Sequence, residues 1–458
     1  MMDEKNRIIW FYTIDFLQTF SSVFYDHMPI SIPLLRDFQK FVERHISRTV
    51  FKKRNIQLNL NIQSTCEPYL LKNIQFNKEG AYYLVRSDLY PLTSGIKHKC
   101  IYLAHHQNEY NKMLKIKQCR PLYYLNQLPE KELPINEAKK VNIQLNQIFH
   151  NKNTSAFLKN KLFITWMRNS VKKLLLYIRK VHWLFEKYSF SKTIYGSTIN
   201  RHGALITTFA QSRKIETINF QHGIMGEIGH LPINADINLV WGKSHLDFLS
   251  AFGAPKEKMK IVPPYFPKSK KLITKIINTE PKLSNHSIKT NENRLPINIL
   301  VALQPLSIDF NKRMIQNIES SSNKFAGKFH IHFKLHPDQD IKDFKNLVSS
   351  PNSYLYEHNT ITIQELLSKC DLLITHSSAV AFEALILRKA AVFYSSQTNM
   401  YYLQGTPLFV KTNEEVYNLF SRLAISPSFL KDIASRISLK DDHTYYKSEN
   451  YNIEQYIK

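Results

Sequence analysis

The sequence predicts an α/β protein with two Rossmann-like domains, and three observations support this prediction. A chain of 458 residues is longer than one compact core usually accommodates, so two or three domains are expected. From residue 191 onward, apolar runs of strand length alternate with segments of helix length, which is typical of parallel sheets. A polar stretch without apolar periodicity interrupts this alternation. We therefore expect an N-terminal domain (1–265), a polar linker or inserted loop (266–296) and a C-terminal domain (297–458).

The charge of the chain indicates anionic partners without naming one. There are 62 Lys and Arg residues against 37 Asp and Glu residues, a formal net charge of +25. Such an excess attracts nucleic acid, anionic lipid or phosphorylated substrates. Lysines accumulated on a tolerant surface would give the same composition, so both interpretations stay open.

Cysteine usage and hydropathy predict a cytoplasmic protein, peripheral at most at the inner membrane face. The four cysteines show no CxxC spacing and resemble reduced thiols rather than a disulfide framework. The apolar run 8–12 is too short for a signal peptide and has no small-residue cleavage site. No apolar run approaches the roughly 20 residues that span a bilayer.

The first 190 residues contain little recognisable chemistry. Residues 1–150 mix short apolar runs with basic loops, and we expect an α/β segment there whose role the sequence leaves open. Residues 166–188 predict a basic amphipathic helix, with apolar residues at helical spacing. Such a helix either packs its apolar stripe into a core, the interpretation we prefer, or lies on an anionic membrane surface.

Two stretches of alternating elements follow. In the first, we predict strands at 192–196, 216–220 and 237–242, with helices at 199–212 and 244–252. In the second, the predicted strands are 297–303, 329–335, 353–356, 372–375 and 391–394, and the predicted helices are 309–322, 340–349, 362–369 and 379–387.

Polar residues directly follow four of these strands. Ligands of open parallel sheets bind outside the carboxyl ends of the strands. The residues concerned are Gln304, His336, Ser377 with Ser378, and His222. This repetition predicts a ligand site on the C-terminal domain and a polar loop on the N-terminal one.

Three features of the C-terminal domain favour a phosphate and a ribose. Ser377 and Ser378 precede a helix, where hydroxyl and amide groups bind anions, although one serine suffices for ordinary capping. His336, preceded by Lys334 and followed by proline, could donate to a phosphate or protonate a departing one. Glu383 lies one to two helical turns further on, where a carboxylate could accept bonds from vicinal hydroxyls.

The loop Gln221-His222-Gly223 provides the corresponding chemistry of the N-terminal domain. Gly223 allows close approach of the backbone to a ligand. His222 could act as a general base on an acceptor hydroxyl or could orient the donor, and the sequence does not choose between these roles. The chain contains no GxxxxGK[ST], GxGxxG, HExxH or GxSxG motif and no convincing DxD pair, so we expect neither a metal nor another cofactor.

The order of these motifs resembles GT-B-fold glycosyltransferases of bacterial surface polysaccharide synthesis. Similar patterns occur in capsule Kdo transferases, bacterial sialyl- and polysialyltransferases, and CDP-glycerol glycerophosphotransferases. The resemblance covers roughly residues 190–400. It implies two domains that face each other across a cleft, a donor phosphate bound by His336, Ser377 and Ser378, and a ribose bound by Glu383. The acidic Asp/Glu-Asp/Glu-Gly motif of the sialyltransferases has no clear counterpart, which makes His222 the default candidate for the base.

The resemblance implies transfer of a sugar from a CMP- or other nucleotide-activated donor to a surface polysaccharide or a lipid-linked acceptor. Three alternatives stay open. A glycerophosphotransferase would use the same histidines on a CDP donor. A UDP-sugar 2-epimerase would share the fold and need no acceptor. A basic nucleic-acid-binding protein would show steeply salt-dependent binding, although no nucleic-acid motif is present.

Overall fold

The computed structural model consists of two compact units, Met1–Tyr265 with Asn450–Lys458, and Phe266–Glu449. It describes residues 4–45, 61–71, 75–76, 79–117, 119, 121–132, 135–264, 296–304, 307–337, 339–357, 360–376, 378–395, 400–440 and 453–457. The polar segment predicted at 266–296 lies almost wholly outside these residues.

The first unit contains a parallel sheet with helices. Its strands are β1 (Phe24–Tyr25), β2 (Met28–Pro29), β3 (Tyr82–Arg86), β4 (Cys100–Ala104), β5 (Leu122–Tyr124), β6 (Phe190–Tyr195), β7 (Glu216–Phe220), β8 (Ile237–Trp241) and β9 (Met259–Val262). Its helices are α1 (Glu4–Phe20), α2 (Ser31–His45), α3 (Ile62–Cys66), α4 (Tyr90–Thr93), α5 (Gln107–Leu114), α6 (Ile135–His150), α7 (Lys161–Lys187), α8 (Arg201–Ser212), α9 (Glu227–His230) and α10 (Gly242–Ala251). Within the described residues, the parallel sheet has the order β5-β4-β3-β6-β7-β8-β9, and β1 and β2 form a separate antiparallel pair.

Aromatic side chains pack α1, α2 and α7 together. The rings of Phe16 and Phe38 stack with their centroids 4.3 Å apart, and Phe163 and Trp166 of α7 lie against the same cluster. Phe16 and Phe38 are fully buried. Because each buried aromatic ring removes a large apolar area from water, this cluster stabilises the packing of the three helices.

Helix α7 confirms the predicted helix and places its apolar stripe in the core. The stripe is fully or almost fully buried along its length, at Phe163, Met167, Val171, Leu174, Ile178, Val181 and Leu184. The apolar stripe of 166–188 therefore packs into a core, which is the interpretation that we preferred, and this packed face is not available to a membrane. The exposed lysines of the helix, Lys172 and Lys173 among them, stay available to an anionic surface.

The second unit contains the other parallel sheet. Its strands are β10 (Ile297–Ala302), β11 (Phe329–Lys334), β12 (Ser353–Tyr356), β13 (Leu372–Thr375), β14 (Ala390–Tyr394), β15 (Leu403–Gly405), β16 (Leu408–Val410) and β17 (Ile437–Leu439). Its helices are α11 (Ile308–Ser322), α12 (Ile363–Lys369), α13 (Ala379–Ile386), α14 (Asn413–Ile425) and α15 (Phe429–Ser435). Among the described residues the parallel sheet runs β12-β11-β10-β13-β14-β16.

Buried β-branched and aromatic residues explain these strands. Ile299, Val301, Phe333, Ile374 and Val392 belong to one hydrophobic core with α11 and α14. Such near-continuous apolar runs are typical of parallel strands that helices cover on both faces. The predicted α/β fold with two Rossmann-like domains is confirmed.

Two details differ from the sequence-based predictions. Instead of a helix at 340–349 there are two short 3₁₀ turns, Ile341–Asp343 and Lys345–Leu347. Phe344 between them is buried, and its backbone (φ −127°, ψ −17°) departs from the helical region. The segment Asn450–Lys458, which we placed in the C-terminal domain, clusters with the first unit. Its helix α16 (Glu454–Ile457) buries Ile457, and Glu454 accepts a hydrogen bond from the backbone N–H of Lys97 (2.5 Å).

The four cysteines all lie among the described residues, and none is bonded to another. Burial raises the pKa of the Cys66 and Cys370 thiols to about 12, which keeps them protonated and unreactive. Within the described ranges, no helix is both long enough and apolar enough to cross a membrane.

Candidate functional site

The second sheet reverses its strand order between β10 and β13. The chain runs from β10 through β11 to β12 on one side, then continues through β13 and β14 to β16 on the other. Crevices at such reversals bind ligands in open parallel sheets. Gln304 follows β10 and Ser378 follows β13, so the sequence-predicted residues stand at the reversal.

Gln339 connects Gln304 to His336. The side-chain amide of Gln339 donates to the carbonyl oxygen of Gln304 (3.0 Å), and its oxygen accepts the backbone N–H of His336 (2.8 Å). Asn311 also donates to the Gln304 carbonyl (2.9 Å). Two predicted residues from different loops are thus held together by a third that sequence reasoning missed. Gln339 follows His336 by three residues, and no other feature of the sequence points to it.

Lys334 is buried at the end of β11. Its ammonium group donates to the backbone carbonyl of Glu357, directly after β12. The interaction ties the carboxyl ends of two adjacent strands together. A phosphate bound here would therefore share the positive charge of Lys334 with the Glu357 carbonyl.

The serine pair is only partly described. Ser377 lies outside the described residues. Ser378 is the N-cap of α13, and its hydroxyl accepts the backbone N–H of Val380 (3.2 Å). The hydroxyl thus makes the capping bond that we weighed against phosphate binding, while the first turn of α13 presents further N–H groups.

Glu383 is a buried carboxyl group in the helix that follows the reversal. It is 8% exposed, and Gln364 donates to its Oε2 (3.0 Å). Burial raises the pKa of Glu383 to about 7. A buried carboxyl with so little charge compensation, next to the strand reversal, is a candidate for a ligand-binding group.

The first sheet reverses its strand order between β3 and β6. Arg86 ends β3 and Tyr195 ends β6, and the neighbouring residues Val85 and Ile194 pair in the ladder. His222 lies beside this point, because a Cβ added at Gly196 would stand 3.6 Å from the His222 Cβ. The histidine predicted after the strand at 216–220, which is β7, is therefore located at the reversal.

Gln221 connects the loop that contains His222 to β8 and to Gly223. Its side-chain oxygen accepts the N–H of Trp241 (2.6 Å), and its amide donates to the carbonyl of Gly223 (2.7 Å). Gln221 is 1% exposed. Nothing lies within 4 Å of a Cβ added at Gly223, so the backbone there borders open space.

His222 is neutral at physiological pH. Its side chain is accessible to solvent, yet the surrounding protein desolvates the ring and, with a smaller contribution from Arg86, lowers its pKa to about 4. The neighbouring His230 is neutral as well, because burial lowers its pKa to about 4. The Nδ1 atom of His230 accepts the backbone N–H of Gly226 (3.1 Å), so the neutral His230 ring carries its proton on Nε2. A neutral imidazole can accept a proton from a hydroxyl group.

Sequence reasoning missed the charged residues at the end of β3. Arg86 Nε lies 3.2 Å from Asp88 Oδ2, and Arg86 Nη2 lies 3.6 Å from Glu109 Oε2. His105 follows β4, and its Nε2 lies 3.4 Å from the Tyr195 hydroxyl. Arg86 and His105 come at the ends of apolar runs (81–85 and 101–104), so the rule applied to later strands would have found them.

Several buried histidines in this unit predict acid lability. Burial lowers the pKa of His245 to about 3, below the 6.5 of an unfolded chain. The neutral ring therefore contributes stability above pH 6.5 that is lost as the pH falls toward 3. Relative to His245→Gln, the wild-type free energy of unfolding should fall by about 1–2 kcal/mol between pH 7 and pH 5, measured by urea titration. His150→Gln, at an exposed position, serves as the control, and equal slopes for all three proteins would contradict the prediction.

Two further features of the described residues, potential metal ligands and the cavity of the second unit, were compared with these two strand edges. Within the described ranges, no group of three or more His, Cys, Asp or Glu residues could hold a metal ion. A cavity of about 540 Å³ on the second unit is lined by Asn298, Asp371 and Lys389, which begin or precede β10, β13 and β14. It lies toward the amino ends of these strands, away from the reversal.

Comparison with known proteins identifies the fold. No protein-family model and no curated protein sequence matches the chain. The UDP-N-acetylglucosamine 2-epimerase from Rickettsia bellii is similar in structure, with 15% identity, 82% of this chain and 94% of that chain covered, and a TM-score of 0.50. MnaA of S. aureus, solved with UDP, has 13% identity, 82% and 95% coverage, and a TM-score of 0.50.

The spinosyn forosaminyltransferase SpnP is also similar, with 10% identity, coverage of 82% of this chain and 98% of that chain, and a TM-score of 0.44. The identities are low, and the two structures with a TM-score of 0.50 establish the architecture alone. The chain therefore has the GT-B fold of two Rossmann-like domains that the sequence predicted.

Proposed function

We propose that this protein is a GT-B glycosyltransferase that moves a sugar from a nucleotide-activated donor to a hydroxyl group of a polysaccharide or lipid-linked acceptor. The observation that carries the proposal is Glu383, a buried carboxyl five residues beyond the N-cap of the helix that follows the strand reversal. At about 1.5 Å per residue, that spacing matches the distance between a phosphate at the helix N-terminus and the ribose of the same nucleotide.

The residues of the second unit bind the donor in this proposal. The N–H groups at the start of α13, with Ser377 and Ser378, contact the phosphate, and His336 donates to it as negative charge develops on the leaving oxygen. Glu383 accepts hydrogen bonds from the ribose hydroxyls. Gln304 and Gln339 hold the His336 loop in place.

His222 of the first unit is the proposed general base. The acceptor oxygen attacks the anomeric carbon, the bond from that carbon to the phosphate oxygen breaks, and its electron pair stays on the phosphate. The hydroxyl proton passes to the neutral imidazole of His222.

The experiment that tests this function is a donor screen with the full-length protein. CMP-sialic acid, CMP-Kdo, UDP-N-acetylglucosamine and CDP-glycerol are each incubated with and without polysaccharide and lipid-linked acceptor fractions, and release of nucleotide is measured. Transfer of a sugar that requires an acceptor supports the proposal. Transfer from CDP-glycerol alone would assign glycerophosphate transfer instead, and failure of every donor would contradict both.

A 2-epimerase is the second candidate, because the Rickettsia bellii protein of the same fold carries that name. It differs in one measurable respect. An epimerase converts a UDP-sugar without any acceptor and releases no nucleotide in net turnover. Inversion at C2 of UDP-N-acetylglucosamine, followed by NMR in the acceptor-free arm of the same screen, would decide in its favour.

A further inference from the structure

The carboxyl edge of the first sheet carries a charged group that the proposed function does not use. Asp88 comes two residues after β3, beside the reversal between β3 and β6. Arg86 acts electrostatically on both Asp88 and His222. Asp88 therefore belongs to the same edge as the proposed base.

The two carboxylates around Arg86 differ in their surroundings. Glu109 accepts the hydroxyl of Ser87 (2.6 Å) and the N–H of His105 (3.2 Å), and its side chain is 11% exposed. Asp88 lies against Arg86, and its side chain is 34% exposed. Glu109 is thus bound into the protein on several sides, whereas Asp88 has an accessible surface toward solvent.

The charges of Arg86, Asp88 and Glu109 favour a neutral ligand over an anionic one. One guanidinium stands between two carboxylates, so Arg86 has no surplus charge for a phosphate or a carboxylate of the substrate. An accessible carboxylate that an arginine holds in place is instead suited to accept hydrogen bonds from neutral hydroxyl groups. The surrounding protein atoms partly desolvate the Asp88 carboxylate and raise its pKa to about 6, so it is still mostly ionised at pH 7.

We propose that Asp88 binds sugar hydroxyls of the substrate, and that Arg86, clamped by Glu109, is the positioning residue that orients it. This subsite rests on the proposed function and makes it more specific. The part of the substrate that reaches the β3–β6 edge is a neutral sugar ring, although the chain as a whole carries a charge of +25. The ring belongs either to the acceptor or to the transferred group.

The test compares Asp88→Asn with the matched control Asp26→Asn, using the donor and acceptor found in the screen. Asp26 pairs with Arg213 at 2.8 Å and is similarly exposed, but it lies in the turn between β1 and β2. We expect Asp88→Asn to raise KM about 10–100-fold for one substrate. The affinity for free nucleotide should stay within twofold of wild type, and Asp26→Asn should change neither value. A raised acceptor KM assigns the ring to the acceptor, and a raised donor KM assigns it to the transferred sugar.

A second variant separates binding from stability. Asp88→Glu keeps the negative charge beside Arg86 but moves the carboxylate by one methylene. A purely structural ion pair would tolerate this change, whereas a hydroxyl-binding group would still lose affinity. Wild-type values of both KM in either folded Asp88 variant would overturn the subsite and leave the proposed function intact. Failure of the wild-type protein to turn over any donor would overturn the proposed function and the subsite with it.

Discussion

Replacement of His222 by alanine is expected to lower kcat by about 10³-fold, since general base catalysis typically contributes 10²–10⁴-fold. The imidazole stands beside Gly196 at the reversal of the first sheet and is neutral at pH 7, because desolvation lowers its pKa to about 4. Its backbone is held by Gln221, which is itself buried and contacts both Trp241 and Gly223. Loss of the ring should therefore remove the proton acceptor without disturbing the loop. Initial-rate measurements at saturating donor and acceptor test this expectation.

His98→Ala is the matched control for this prediction. His98 belongs to the same unit but precedes β4, at the amino end of the sheet, where its ring stacks on Tyr83 at 4.1 Å. Its removal should leave kcat within about threefold of wild type. If His222→Ala retained wild-type turnover while folding normally, His222 would not be the base, and an acidic group of the same edge would replace it in the mechanism.

Replacement of Glu383 by glutamine is expected to stabilise the ligand-free protein and to weaken nucleotide binding. The folded-state pKa is raised from 4.5 to about 7, so burial penalises the carboxylate, and this penalty is fully present above pH 7 and disappears as the pH falls toward 4.5. Glutamine removes the penalty and keeps an oxygen for Gln364. The free energy of unfolding at pH 8 should rise by about 1–3 kcal/mol, and nucleotide affinity should fall about 10–100-fold.

Glu319→Gln is the control for Glu383→Gln. Glu319 is also buried in the second unit, but it lies in α11 and accepts the backbone N–H groups of Ser349 and Ser350 (3.4 and 3.2 Å). This substitution should leave nucleotide affinity unchanged, and it should not stabilise the protein, because an amide accepts these bonds less well than a carboxylate. A glutamine at 383 that destabilised the protein at pH 8 would contradict the assigned electrostatics.

The second half of the chain was readable from the sequence because its strands are continuous apolar runs. β12 and β13 begin and end as predicted, and β10 and β11 each end one residue earlier. The rule that ligands bind after such strands then selected Gln304, His336 and Ser378 without further information. Their chemical roles stay predictions, because strand order locates a site but does not say which molecule fills it.

The first half was less readable for a physical reason. β3 (Tyr82–Arg86) pairs with β6 (Phe190–Tyr195), which lies beyond α6 and α7 in the sequence, so only this tertiary pairing reveals that β3 lies at the reversal. Sequence reasoning consequently assigned no role to Arg86 or Asp88. The helix predicted at 340–349 failed because one buried side chain, Phe344, outweighed a weak local pattern.

The most direct test of the central claim is the thermal unfolding midpoint of the full-length protein with CMP, CDP, UMP, UDP and GDP, each at millimolar concentration. A nucleotide that binds the folded state at 100 times its Kd stabilises it by about 2.7 kcal/mol. The account predicts a raised midpoint for one nucleotide class, lost in His336→Ala and in Glu383→Ala but kept in His98→Ala. An unchanged midpoint with all five nucleotides would contradict a nucleotide site at the carboxyl edge of the second sheet, and with it the proposed transfer reaction.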